Sequence, residues 1–199
     1  MIAGVAIVDI TPKASVWMDG MIREHRSGGV HDPLFARALY MANEDEQCAI
    51  VSVDVCGIYA ADAHVVRDEI EAATGIPSGS IIIAASHTHS GPATIGFFNP
   101  AESDYVRWMG SKIVEVVAAA VKQATPVLAG CASGREETIS HYRRFLSDDG
   151  KVVMIWEQDP ALGGLQVTGE PDPEVGVLKL VDANEPDQVR ALLFNHAGH

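Results

Sequence analysis

Two short histidine clusters are the residues of this sequence best suited to chemistry. His87 and His89 directly follow the apolar run 80–85, and His196 and His199 stand at the end of a second apolar run. Residues i and i+2 of an extended chain point the same way, so both imidazoles of the first pair are expected to face one cavity. Neutral imidazole is a common zinc ligand. The clusters together predict a zinc site built from distant segments; the alternative is two unrelated groups of polar loop histidines.

Two further polar residues are candidates for a site. His31 lies between a glycine pair and the turn signal Asp32-Pro33. Either a flexible loop places the His31 side chain in a cleft, or His31 is part of an ordinary turn. Arg143 stands beside Arg144, and an arginine near a metal binds a carboxylate or stabilises a developing oxyanion. A solvated pair of arginines is the alternative.

The remaining polar residues have simpler interpretations. Asp54 follows an apolar run, where it either supports a ligand histidine through a hydrogen bond or caps a turn. His25, His64 and His141 are expected to be ordinary surface residues.

The composition is that of a folded, acidic protein. Of 199 residues, 47% are hydrophobic and 21% charged, which is typical of a globular chain with a sizeable core. The net charge of −13 argues against nucleic acid and against an anionic membrane surface as partners. No apolar stretch approaches the ~20 residues of a transmembrane helix. Three scattered cysteines lack the spacing of a zinc motif, and Cys48 and Cys56 are expected to be small buried thiols.

The pattern of apolar residues predicts an α/β layered domain, with a mixed β-sheet core flanked by helices. Helices are predicted over 61–74, with an apolar stripe that includes Val65, and over 103–123, with Ser103 as the N-cap. The segment 159–173 is rich in Gly and Pro and is predicted to be a loop. Strands are predicted over 4–10, 35–42, 48–55, 80–85, 127–132, 152–156, 175–181 and 189–194. Residues 1–199 are interpreted as a single domain.

Several segments resemble one known family in the same order along the chain. Residues 86–92, Ser-His-Thr-His-Ser-Gly-Pro, resemble the T-H-T-H-S-G-P signature of the neutral/alkaline non-lysosomal ceramidases. Residues 9–12 resemble its opening D-I-T-P, and residues 29–39 its G-[IV]-H-D-x-L-x-A-R-A segment. Residues 172–178 and 195–199 resemble D-P-x-[VL]-G-V-L and N-[FY]-A-x-H-P. The resemblance therefore spans nearly the whole chain.

This resemblance implies a zinc-dependent hydrolase that cleaves the amide of an N-acyl lipid such as ceramide, and hence an enzyme of sphingolipid metabolism. The implied site consists of two ligands of Zn²⁺ and three catalytic or pocket residues: His87 and His199 for the metal, with His89, Arg143 and His31. The family has an asparagine before the arginine, where this chain has Tyr142.

The family's other ligands, a glutamate and a tyrosine, lie further along its chains. The sequence is therefore expected to be the amino-terminal part of a longer zinc hydrolase domain, with weak or no metal binding by itself. Ile95, Phe97 and Phe98 are expected to form an apolar wall of the pocket, or simply to pack within their loop.

Two other functions stay open at this point. One is a zinc hydrolase of the same family that acts on a different amide, ester or sugar-derived substrate. The other is a non-catalytic binding domain that retains the fold. The expected location is the cytoplasm, or outside the cell if a signal peptide is removed.

Overall fold

The computed structural model describes residues 1–158 and 163–198 as ten strands and two helices, with a single short 3₁₀ turn at Ser78–Ser80 among the described residues. The helices are α1, Ala60–Thr74, and α2, Ser103–Lys122. The strands of the first half are β1 (Ile2–Asp9), β2 (Phe35–Ala42), β3 (Gln47–Val53) and β4 (Ile81–Ala85). Those of the second half are β5 (Thr125–Arg135), β6 (Arg144–Ser147), β7 (Val152–Met154), β8 (Leu165–Val167), β9 (Glu174–Asp182) and β10 (Val189–His196).

The strands form a mixed sheet of seven and a smaller sheet of three. The larger sheet has the order β10-β9-β5-β1-β2-β3-β4, and the smaller one the order β7-β6-β8. Strands β1, β2 and β3 pair antiparallel, whereas β3 and β4 pair parallel because α1 carries the chain back between them. The prediction of an α/β layered fold with a mixed sheet and flanking helices is confirmed.

The chain divides into two compact units. Unit 1 comprises Met1–Leu128 and Leu180–Ala191, and unit 2 comprises Ala129–Lys179 and Leu192–His199. Both helices and strands β1 to β4 belong to unit 1, and the three-stranded sheet belongs to unit 2. The interpretation of residues 1–199 as one domain stays a prediction.

The core of unit 1 lies between the sheet and the two helices. Val51 and Val53 of β3 are fully buried, as are Ile70 of α1 and Val117 of α2. Gly4 allows the closest approach, because a Cβ there would lie 2.0 Å from the carbonyl oxygen of Ala120 in α2. A glycine at this position therefore lets the helix pack directly on the backbone of β1.

Some local predictions differ from the structure. Val65 is 58% exposed, so the buried stripe of α1 consists of its neighbours Val66 and Ile70. The N-cap of α2 is Glu102, with no side-chain cap bond, and Ser103 is the first helical residue. The predicted loop 159–173 contains the strand β8; its residues 159–162 lie outside the described residues.

Within the described part of the chain, neither helix combines the length and the hydropathy that a membrane crossing requires.

Candidate metal centre

The candidate centre lies where two parallel strands end side by side. Val53, the last residue of β3, is paired with Ala85, the last residue of β4. The pairing continues past both strands, because the amide of Ser86 donates to the carbonyl of Val53 and that of His87 donates to the carbonyl of Val55. In α/β sheets the carboxyl ends of strands are a common place for ligands. Here they bring the segments after β3 and β4 together.

His87 has an unusual backbone conformation. Its φ is 61°, and no other non-glycine residue in the described part of the chain has a positive φ. The left-handed region costs an L-residue roughly 1–2 kcal/mol and often marks a functional position. The expectation that His87 and His89 share an extended strand geometry is therefore wrong, since β4 ends at Ala85 and the chain turns at His87.

The two imidazoles nevertheless come together. The Nε2 atoms of His87 and His89 are 3.4 Å apart, and the rings meet edge to face with centroids 4.9 Å apart and an interplanar angle of 82°. The Nδ1 atom of His87 lies 2.7 Å from the carbonyl oxygen of Cys56. Because a carbonyl oxygen only accepts hydrogen bonds, Nδ1 carries the proton in the neutral ring, and the lone pair is on Nε2. This is the tautomer that a metal-binding histidine adopts when a carbonyl orients it.

Cys56 lies beside the histidine pair, so that three side chains of types that can bind metals are close together. It is buried, with 5% of its surface exposed, and its Sγ lies 3.5 Å from His87 Nδ1. The ligand atoms of Cys56, His87 and His89 all lie within 4.8 Å of one another. Burial raises the pKa of the Cys56 thiol, and the nearby carboxylate of Asp19 raises it further. Without a cation, the thiol therefore keeps its proton.

The separation of the two imidazole nitrogens fits a shared metal. With Zn–N bonds of about 2.0–2.1 Å, two nitrogens on a tetrahedral zinc are about 3.3–3.4 Å apart. The observed distance between the Nε2 atoms of His87 and His89 is 3.4 Å. This geometry suits Zn²⁺ and other divalent ions that bind imidazole.

The ring of His89 is held by the loop that precedes β2. A Cβ on Gly20 would lie 2.3 Å from Cγ of His89, so the imidazole packs directly on the glycine backbone, whose φ is 92°. The guanidinium of Arg23 donates to the carbonyl of His89 at 2.8 Å. Asn99 fixes this loop: its amide donates to the carbonyls of Met18 and Met21, at 2.7 and 2.9 Å, and its oxygen accepts from the amide of Arg23.

Asp19 is a buried carboxylate next to this site. It is 0% exposed, and its Oδ2 accepts a hydrogen bond from the amide of Ile95 at 2.8 Å. Its Oδ1 has no hydrogen-bond partner within the described structure. A buried carboxylate with an unsatisfied oxygen is costly unless a positive charge compensates for it. Asp19 therefore makes the surroundings of Cys56 favourable for a cation.

His31 lines a cleft that adjoins the segment of the histidine pair. It lines a cleft of about 590 Å³ together with Lys13, Thr88 and Ser90, and its Nδ1 lies 2.7 Å from Asp32 Oδ2. Among the described residues that line this cleft, neither His87 nor His89 is present. The cleft therefore adjoins this segment through Thr88 and Ser90.

The other predicted site residues belong to unit 2. The guanidinium of Arg143 lies 5.6 Å from the ring centroid of Trp156, as in a cation–π contact. His199 lies outside the described residues. His196 is held by the carbonyl of Glu174 and by Ser140. The roles assigned to Arg143, His199 and His31 stay predictions.

Asp54 links two neighbouring strands through its carboxylate. Its Oδ2 accepts hydrogen bonds from the amide of Phe35 and from Arg37, both at 2.9 Å. The carboxylate therefore joins the end of β3 to the start of β2.

Comparison with known proteins supports the fold. No family model matches the chain, and no curated protein matches it. Among solved structures, the neutral ceramidase from Pseudomonas aeruginosa is similar, with a TM-score of 0.71 and 22% identity over 97% of this chain and 31% of that one. A ceramidase complexed with C2 gives a TM-score of 0.72 and 22% identity over 97% of this chain and 30% of its own. The chain thus spans about a third of the length of these proteins, with the same fold over that part.

Sequence reasoning selected the histidine pair but missed the residues around it. Cys56 was interpreted as a plain buried thiol, and Asp19, Gly20 and Asn99 were not singled out. The signal for Cys56 was present, because it follows β3 at the same sheet edge as His87 follows β4. The position of Cys56 beside His87 follows only once the parallel pairing of β3 and β4 is known.

Proposed function

We propose that this chain is part of a zinc-dependent hydrolase that resembles neutral ceramidase and cleaves the amide bond of an N-acyl, sphingolipid-like substrate. The observation that carries the proposal is the 3.4 Å separation of the Nε2 atoms of His87 and His89, with the tautomer of His87 set by the Cys56 carbonyl. The similarity in fold to two ceramidase structures supports the choice of reaction.

In this proposal His87 holds the metal through Nε2, and His89, whose Nε2 lies 3.4 Å away, belongs to the same centre; the role of His199 as the other ligand stays a prediction. When bound, zinc polarises the amide carbonyl and brings the pKa of a coordinated water towards neutrality. The hydrogen bond from His87 Nδ1 to the carbonyl of Cys56 keeps the ring oriented while Nε2 binds. Gly20 and Arg23 keep His89 in place on the other side.

An exposed apolar patch beside the metal centre favours a lipid substrate. Met21 and Ile22 follow Gly20 and are 54% and 79% exposed. Phe97 and Phe98 are 75% and 46% exposed, and their rings pack edge to face. Asn99 ties the two loops together through the carbonyl of Met21. Large apolar side chains exposed side by side mark binding surfaces, and here they are suited to an alkyl chain.

The cleft lined by His31 favours a second candidate, a hydrolase of the same kind with a polar or sugar-derived amide or ester as substrate. Thr11, Lys13, Ser15 and Ser27 are among the residues that line this cleft. Their polar groups offer hydrogen-bond partners to a hydroxylated substrate.

Metal content and substrate turnover of the complete protein test the proposal. We expect bound zinc in the wild type, its loss in His87→Ala and His89→Ala, and full retention in His64→Ala, which removes an exposed histidine of α1. Long-chain N-acyl sphingosines should be hydrolysed faster than short N-acyl amides or N-acyl sugars. A purified protein without zinc binding would refute the metal centre, and preference for sugar-linked substrates would replace the first candidate by the second.

A further inference from the structure

We propose that the side of the unit 1 sheet turned away from the helices is the contact surface for a second apolar layer, supplied by the rest of the polypeptide. We call this surface the outer face; it consists of Val5, Ile7, Leu39, Ile50 and Ile82. The inference rests on the proposed function, because this chain is there part of a longer hydrolase.

A row of apolar side chains crosses four strands on the outer face. Val5 of β1 is paired with Leu39 of β2. Leu39 is paired in turn with Ile50 of β3, and Ile50 with Ile82 of β4. Residues directly opposite each other on neighbouring strands point to the same side of a sheet. The row is therefore continuous from β1 to β4.

The helices lie on the other side of the sheet. Ala38 and Val51, which adjoin Leu39 and Ile50 along the chain, belong to the core that contains Val117 of α2. Successive residues of a strand point to opposite faces. Leu39 and Ile50 therefore point away from the helices, and the strands of unit 1 are apolar on both sides.

The outer face is open to solvent at several positions of the described structure. Ile7 is 60% exposed and Ile82 is 58% exposed, whereas Val5 and Ile50 are half-buried. A sheet with one solvated face usually carries polar residues on it, and strands that are apolar on both sides are typical of sheets covered on both faces. Large apolar side chains exposed side by side mark interaction surfaces. The sheet of unit 1 is therefore suited to be an inner layer.

The rest of the polypeptide is the occupant that the comparisons favour. This chain spans 31% and 30% of the two ceramidase structures that are similar in fold. A longer protein of this kind has enough further chain for another layer of strands or helices. A second copy of this chain is less suited, because each copy carries a net charge of −13 and like charges oppose association.

The accessibility of single thiols in the complete protein tests the inference. Ile82→Cys places a thiol on the outer face, and Val65→Cys, the control, places one on α1; both parent side chains are 58% exposed in the described structure. Mass spectrometry of the two peptides measures the rate of alkylation by iodoacetamide, relative to the same variant unfolded in urea. We expect Ile82→Cys to be slowed at least about 10-fold, since its reaction requires local opening, and Val65→Cys to react at nearly its unfolded rate.

Two results would overturn the inference. One is alkylation of folded Ile82→Cys at its unfolded rate, which would mean that the outer face is free. The other is protection that disappears on dilution together with a dimeric mass in light scattering, which would assign the outer face to a second copy.

Hydroxyl-radical footprinting of the wild type covers the case in which Ile82→Cys does not fold. Oxidation of Ile7 and Ile82 should be slow in the native complete protein and rise on unfolding, and equal oxidation before and after unfolding would overturn the inference. Neither measurement depends on the metal. Protection without zinc binding would support the second layer and refute the metal centre, whereas zinc binding without protection would overturn the second layer alone.

Discussion

The imidazole of His89 lies directly against the backbone of Gly20. A methyl group at residue 20 would lie 2.3, 2.5 and 2.7 Å from three atoms of the His89 side chain, and φ of Gly20 is 92°. Glycine is therefore required here both for space and for backbone conformation. The loop that precedes β2 thus determines where a residue of the segment after β4 can place its ring.

From this contact we predict that Gly20→Ala displaces His89 and weakens zinc binding. The substitution is expected to weaken affinity about 10- to 100-fold, as is usual when a group that orients a ligand is lost. Competition titration with a zinc indicator measures the affinity. Gly28→Ala, where an added Cβ meets no atom within 4 Å among the described residues, is the control. Unchanged affinity in Gly20→Ala would mean that His89 does not hold the metal.

The positive φ of His87 gives a second prediction, concerning stability. With φ at 61°, the residue is in a region where glycine has no Cβ penalty. We expect metal-free His87→Gly to be more stable than His87→Ala by about 1 kcal/mol, although both lose metal binding. Urea unfolding of the two variants in the presence of a chelator measures the difference. If His87→Ala were equally stable, the left-handed conformation would not be retained without the imidazole.

Asn99 links the loop around Gly20 to the segment after the histidine pair, and we predict that Asn99→Ala weakens both stability and metal affinity. The side chain is 6% exposed and bonds to the carbonyls of Met18 and Met21 and to the amide of Arg23. Leaving such buried groups unsatisfied costs about 1–3 kcal/mol. Thermal unfolding and zinc titration measure the two effects. Glu69→Ala, at an exposed position of α1, should change neither.

Asp182 gives a prediction about pH. Its pKa is lowered, first by the hydrogen bond from Arg190 and then by the amide of Asn184. A carboxyl with a lowered pKa in the folded state stabilises the protein above its unfolded pKa of about 3.9, and this contribution is lost as the pH falls through the folded value. Asp182→Asn should therefore be less stable than the wild type at pH 7, and the difference should shrink in strong acid. A difference that is constant from neutral pH into strong acid would contradict the ionic role of Asp182.

The elements of unit 1 were predictable because their sequence patterns are strong. The apolar stripe of α2, with Met109, Ile113 and Val117 buried, follows the helical period. The turn between β2 and β3 follows from Asn43, whose side chain accepts the amides of Asp45 and Glu46. Strands β6 and β8 were not predicted, because segments of four and three residues are too short to show the alternation of apolar and polar residues that marks a strand.

The candidate centre was predictable only in part, for a physical reason. The spacing of His87 and His89 was visible, but the contact between their rings depends on the turn at His87 and not on strand periodicity. Cys56 and Gly20 join the centre through parallel pairing and loop packing, which sequence spacing does not encode. Such contacts emerge only when the backbone is assembled.

The parallel pairing of β3 and β4 has a further consequence. Cys56 and His89 stand at the two ends of a stretch of chain that contains α1 and β4. The hydrogen bond between His87 Nδ1 and the carbonyl of Cys56 joins the two sides of this stretch, as a weak and reversible cross-link does. Opening of α1 and loss of the orientation of the His87 imidazole are then expected to be one coupled event, so the order of this sheet edge and the shape of the centre depend on each other.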